Sequence, residues 1–418
     1  METMPLRHLA EVRVSNVDKK SVDAEIPVRL CNYTDVYHQD VIDPGTDFMI
    51  ATATRKQIRA FSLRSGDILF TKDSETPDDI AVPAFVAADL PGVVSGYHLA
   101  LVRADASRIE PRFLFRVMQS DYVREQFAAA ASGVTRYGLT NGAIRGALVP
   151  FPVSNIEEQR RIADFLDDHV SQIDDAVALT QMQQQLIVDS NAAWWEGVVR
   201  GLKEAHGSDL LRRFADRIEQ GSSPLAGGNA APSGGFGVIK TSSINSGAFV
   251  ESENKELLGV QDFESRFEVL PGDVLVVRGS GSVDLVADAA WVRSQPSARL
   301  MLSDLTYRLV RPRILPGYLT AVLLSHSVRG QIRSLVRQGS GPAKVRAEDV
   351  KQLSVPVPPL ATQVRIGDEF WDRRVALDAR VDLLERRTKL LQERKGSLIT
   401  AAVTGDFDVT AASGRGVA

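Results

Sequence analysis

Cysteine is almost absent from this chain: Cys31 is the only one in 418 residues. An internal disulfide and a cysteine-ligated zinc site are thereby excluded, and the usage suits a reducing cytoplasm. The six histidines (His8, His38, His98, His169, His206, His326) show no ligand spacing, so no metal is expected. Nowhere does an uncharged apolar run approach the ~20 residues that cross a bilayer. The start, METMPLRHLAEVRV, lacks the apolar core of a signal peptide, so no membrane role and a cytoplasmic location are expected. Enzyme signatures are missing too: there is no G-x-x-x-x-G-K-[ST], no G-x-G-x-x-G after a strand, no H-E-x-x-H and no G-x-S-x-G. One glycine-rich stretch, RGSGSVD from Arg278 to Asp284, follows a strand-like VLVV and offers amides to a phosphate. Its counterpart FTKDSE, from Phe70 to Glu75, lacks the glycines, which favours a structural turn with a basic residue, Lys72 or Arg278, in each place. No catalytic residue and no cofactor bound by this chain are expected.

What the chain does contain is a duplication. PFPVSNIEEQRRIADFL, from Pro150 to Leu166, is echoed by VPVPPLATQVRIGDEF, from Val355 to Phe370. Pro152, Gln159, Arg161 and Ile162 meet Pro356, Gln363, Arg365 and Ile366 at one offset of 204 positions. Upstream, SGDILF at Ser65 to Phe70 matches PGDVLV at Pro271 to Val276, and ALVR at Ala100 to Arg103 matches RLVR at Arg308 to Arg311. Such self-similarity is the mark of a repeated structural unit. Each copy reads as an irregular α+β globular half, with short apolar strands after a G-D turn and helices around PRFLFRVMQSDYVREQFAAAAS and PGYLTAVLLSHSVRGQIRSLVRQ. GSSPLAGGNAAPSGGFG, from Gly221 to Gly237, is expected to be a mobile surface loop.

After each proline-rich junction comes a long helical run. Asn155 with Glu158 makes a capping box at the start of the first, and Gly197 is an expected interruption near its end. Seven-residue steps give Leu166, Ile173, Thr180, Ile187 and Trp194, and then Phe370, Leu377, Leu384, Leu391 and Leu398 in the second copy. The companion line, Val177, Gln184, Asn191 and Val381, Thr388, Lys395, is weak, so the seam is narrow and polar on one side. Two such helices in one chain are expected to pack as an antiparallel pair.

Net charge is -4, yet positive charge gathers locally. From Trp291 to Arg346 the chain carries nine arginines and Lys344 against one acid, Asp304, and Arg103, Arg108, Arg112, Arg116, Arg124, Arg136 and Arg145 mark the matching part of the first half. Local concentration of this kind suits a polyanion. The loops ASGVTRYGLTN and RQGSGPAKVRAED each follow a helix and offer Thr135, Arg136 and Tyr137, or Ser340, Lys344 and Arg346. With Lys72, Arg278 and Ser280 these are the candidate contacts to phosphates or base edges.

At these residues the sequence resembles the specificity subunit of type I restriction-modification systems. The likeness is carried by VRLCNYTDVY at Val28 to Tyr37, the G-D-[IV]-L strands, the loops SGVTRYGLT and GSGPAKVR, the two junctions and VTGDFDV at Val403 to Val409. It implies a first target recognition domain over 1–152, a spacer helix over 153–204, a second recognition domain over 205–355, a second spacer helix over 356–405 and a tail over 406–418. It also implies a pseudo-two-fold arrangement that reads a bipartite, asymmetric site on double-stranded DNA. The helices would dock two adenine methyltransferase subunits, which bind S-adenosylmethionine, with a restriction and translocase subunit joining where the system restricts. Two other readings stay open: a helical scaffold that binds only proteins, and an enzyme using the loop at 278–284.

Overall fold

The computed structural model describes residues 2–150, 155–335 and 343–409. The chain divides into two compact units, Met1–Gln181 with Glu385–Ala418, and Met182–Leu384. Both are mixed α/β, and each boundary falls inside a long helix: α1 spans Ile156–His206 and α2 spans Leu360–Thr404. Neither helix contains a proline, and both start just after the proline-rich junctions, where proline's missing N–H and fixed φ stop a strand. Asn155 caps α1 by accepting the Glu157 N–H at 2.9 Å, while the Glu158 carboxylate pairs with Arg161 at 2.9 Å. Gly197 does not interrupt α1; the helix runs through it, because tertiary packing outweighs the roughly 1 kcal/mol propensity cost of one glycine.

The globular parts repeat strand for strand. In the first unit a five-stranded sheet runs in the order Ala10–Val14, Leu99–Ala104, Asp67–Thr71, Pro83–Val86, Val41–Ile42. In the second, Arg217–Gln220, Thr306–Val310, Val274–Val277, Ala289–Trp291 and Gly247–Phe249 follow the same order, with Ile244–Asn245 added at the edge. The G-D turns feed the central strands, whose residues are all buried in both copies, as expected of continuous apolar runs covered on two faces. A three-stranded sheet also recurs, Met49–Ala53, Ile26–Cys31, Val93–Ser95 in one and Asn254–Glu256, Phe236–Ile239, Arg299–Met301 in the other. Phe236 and Gly237, expected in a mobile loop, therefore belong to a strand.

Within each unit, the globular part packs on one stretch of α1 and one of α2. In the first, Ile162, Ala163, Leu166 and Val170 share a core with Ile399, Ala402 and Val403. The two stretches are antiparallel there: Phe165 meets Phe407, and Asp174 further along pairs with Lys395 at 2.8 Å. In the second unit Trp195, Val199 and Leu202 share a core with Ile366, Phe370 and Trp371. Of the expected seam, Leu166, Ile173, Thr180, Phe370 and Leu384 are buried, while Ile187, Trp194, Leu377, Leu391 and Leu398 are half-buried. The neighbour Trp195 takes the buried place in the second unit, with its indole N–H donating to the Ala321 carbonyl at 2.9 Å.

The repeated glutamine has one job in both copies. Gln159 and Gln363 are buried, and the side-chain oxygen of each accepts the backbone N–H of the residue that precedes a proline-initiated helix: Glu110 before Pro111–Gln119 at 2.8 Å, and Leu315 before Pro316–Leu323 at 3.0 Å. Gln363 also donates to the Pro358 carbonyl at 2.9 Å, so one amide ties the junction, the long helix and the globular part together. Replacing it strands a buried N–H and a carbonyl at once. Gln363→Leu is expected to cost about 1–3 kcal/mol and lower the thermal unfolding midpoint by several degrees; a parental midpoint would show that the bond contributes nothing.

Candidate nucleic-acid interface

The candidate residues from distant parts of the sequence are brought together twice by one device. In the first unit Asp73–Ser74 pairs antiparallel with Tyr137–Gly138; in the second, Gly279–Ser280 pairs with Ala343–Lys344. The register is the same at an offset of 206 positions, Ser74 opposite Tyr137 and Ser280 opposite Ala343. The next bond recurs too: Leu139 N–H donates to the Lys72 carbonyl and Val345 N–H to the Arg278 carbonyl, each at 2.9 Å. Each half thus presents a small two-stranded ribbon that joins the loop after its central strand to the loop before its junction. Lys72, Arg136 and Tyr137 meet on the first; Arg278, Ser280, Lys344 and Arg346 meet on the second. Thr135 is exposed beside Arg136, and Ser340 lies outside the described residues.

The stretch RGSGSVD is accounted for by this geometry, since it forms one strand of the ribbon and the 3-10 turn Val283–Leu285.

The two ribbons differ in charge at matched positions. On the first, the Lys72 ammonium and the His98 Nδ1 each lie 2.7 Å from the Asp73 carboxylate, and an Arg136 nitrogen sits 3.4 Å from that same His98 atom. Burial works to raise the Asp73 carboxyl, but the bonds from His98 and Lys72 outweigh it and hold it below the usual carboxylate range. On the second, Gly279 replaces Asp73, Lys344 replaces Gly138 and Arg346 replaces Thr140. Lys344 and Arg346 are exposed, and neither side chain has an ion-pair partner among the described residues. Arg278 donates to the Asp304 carbonyl at 3.2 Å, which fixes the guanidinium without neutralising it.

Seven of the arginines that make the sequence look basic are neutralised by acids far away in the chain. Arg308 faces Glu219 across neighbouring strands and binds it at 2.7 Å, with Asp273 at 3.1 Å. Arg299 pairs with Glu268, Arg313 with Asp216 and Arg333 with Asp284. In the first half Arg103 faces Asp67 in the same cross-strand way, at 2.6 Å, and Arg112 and Arg116 bind Asp167. Linear density therefore overstated the positive face, and the cations without an ion-pair partner among the described residues include Arg136 at the first ribbon and Lys344 and Arg346 at the second. Sequence reading missed the cleft beside the first ribbon, lined by stacked Tyr33 and Tyr37, Glu75, Asp79, Thr135 and Arg136. It also passed over His98, because the matching position in the second half is Leu305 and the histidine does not recur.

A carboxyl whose pKa is depressed by folding contributes stability above its ordinary value and loses it as pH falls through the folded one. Asp73 should accordingly titrate below the usual range in the intact chain, and His98→Ala should move it back up, read from its side-chain carboxyl carbon shift. An ordinary titration in the parent would contradict the ion cluster.

No family model matches the chain. It is 22% identical over 308 residues to the type I restriction enzyme EcoKI specificity subunit of Escherichia coli K12, a match covering 71% of this chain and 64% of that protein. It is 20% identical over 310 residues to the StySPI specificity subunit of Salmonella potsdam, covering 72% and 65%. The matched part is thus less than two thirds of the length of either relative. Among solved structures, a chain from work on complex assembly and conformational transition of the type I R-M system superposes with a TM-score of 0.68 at 17% identity, covering 97% of this chain and 98% of that one. In sequence the chain is similar to type I specificity subunits, and it shares the fold of that solved chain.

Proposed function

We propose that this chain is the DNA-reading specificity subunit of a type I restriction-modification complex, with each globular half addressing one part of a bipartite, asymmetric site. The observation that carries this reading is the recurring ribbon, which brings polar and basic residues to an exposed edge of both halves at the same register. A two-stranded ribbon fits the major groove, where base edges differ in their donors and acceptors. Arg136, Arg278, Lys344 and Arg346 suit guanine acceptors or phosphates, while Thr135, Tyr137 and Ser280 supply shorter polar contacts. Lys72 acts mainly through Asp73. Different residues at matched places let the two half-sites differ, so no palindrome is required. Ser340 stays in the proposed set as a residue of the same loop.

The chain itself contributes no catalytic step in this account. Two adenine methyltransferase subunits would bind S-adenosylmethionine and extrude the target base, and a restriction subunit would join in systems that cut. The long helices offer these partners apolar side chains: Met182, Leu186, Val375 and Leu383 are exposed in the second unit, Leu179 and Leu390 in the first. Exposed aliphatic side chains at helical spacing are what partner docking uses. The complex would work in the cytoplasm.

The test is the salt dependence of duplex binding by the chain assembled with its methyltransferase partners. Lys344→Ala with Arg346→Ala should weaken binding and flatten the slope of log affinity against log salt by about 0.9 for each phosphate no longer neutralised. Lys72→Ala should alter the slope less, because Asp73 already offsets that charge. Asp73→Asn should steepen it. An unchanged slope in folded Lys344 and Arg346 variants would mean that the second ribbon does not touch DNA, and a scaffold binding only proteins would show no duplex retention even at low salt.

A further inference from the structure

The tip of the first ribbon carries a side chain that charge-based recognition does not explain. Val134 is 94% exposed, the most exposed large hydrophobic residue among the described residues, followed by Leu225 at 75%. It does not lie on a loose segment. Ser132 and Gly138 exchange two backbone hydrogen bonds, at 3.2 and 3.0 Å, which close the loop beneath it. Gly133 takes φ 150°, and a Cβ there would run into the Arg136 carbonyl, so the turn is tight and glycine-dependent. The β-branched Val134 is stiff at χ1 and loses little freedom on making a contact. It projects beside Thr135 and Arg136, both exposed polar groups, at the edge that the reading above assigns to DNA.

A valine side chain neither donates nor accepts a hydrogen bond, so it gains nothing from phosphate or the polar base edges, and packing on deoxyribose carbons would carry no base preference. The minor groove offers only acceptors and the guanine amino group. The base-specific apolar group that an intact duplex exposes without unstacking is the thymine 5-methyl in the major groove. We propose that Val134 is a specificity-determining residue that packs on a thymine methyl in the half-site addressed by the first unit, with Thr135 and Arg136 fixing its approach. This rests on the DNA-reading function proposed above.

The experiment selects duplexes from a random pool with the full chain assembled with its methyltransferase partners, and then replaces each thymine of the selected site singly by deoxyuridine, which removes only the methyl. The parent should lose about fourfold in affinity at one position of one half-site, the worth of a buried methyl-sized group. Val134→Ser, which lacks both methyls, should bind thymine and deoxyuridine equally there, with parental salt slope and thermal midpoint, and Val134→Ile should keep the preference. A parent indifferent to deoxyuridine at every position overturns the proposal, as does a Val134→Ser chain that still discriminates. Equal weakening on all duplexes would mark an unstacking wedge and overturns it too. If the parent selects no sequence at all, the DNA-reading account fails first and this inference with it.

Discussion

A buried amide in each half holds the molecule's parts in register. Gln159 and Gln363 sit one turn into α1 and α2 and reach across to the backbone N–H that opens a proline-initiated helix of the globular part. The proline cannot supply a donor of its own, so the residue before it is the available N–H, and a side-chain oxygen from the long helix satisfies it. Because the bond is buried, its loss is not made good by water, and the junction is held at a fixed angle. The ribbons can only face a ligand reproducibly if that angle is fixed.

Around this shared bond the two junctions have diverged into different chemistries. In the first half Arg112 and Arg116 bind Asp167, with Asp164 adding a contact to Arg112 at 2.8 Å. The positions matching Arg112 and Asp167 are Gly317 and Trp371, where the indole N–H donates to the Gly317 carbonyl at 3.0 Å. A Cβ at Gly317 would lie 2.9 Å from the Trp291 ring, so the glycine is what admits the two indoles. An ion pair in one copy and a packed indole in the other are poor substitutes for each other. Each globular half is thereby matched to its own helix stretch, which is how a duplicated chain avoids pairing the wrong copies.

The sequence showed the duplication, the α+β halves and the two long helices, because these depend on local pattern: apolar runs after G-D turns, proline stops and an unbroken heptad line. The repeated Gln was visible as a motif, but its role was not, since the acceptor and donor lie 49 positions apart in one copy and 48 in the other. The basic stretches misled for the same reason. Charge along a chain says nothing of cross-strand partners such as Glu219 opposite Arg308, and only the fold separates Lys344 and Arg346 from the neutralised arginines. Trp194 and Trp195 show the limit of the heptad line: a strict seven-residue step drifts against the true helical period, and the buried place passed to the neighbour.

The proposed function requires each ribbon to serve one half of the contact. The most direct measurement is the sequence profile selected from a random duplex pool by the assembled chain, compared between variants of one ribbon at a time. The parent should select two blocks separated by unspecified positions; Arg278→Ala should alter one block and Arg136→Ala the other, each leaving its counterpart intact. A single block, or a profile in which either substitution disturbs both blocks alike, would contradict it.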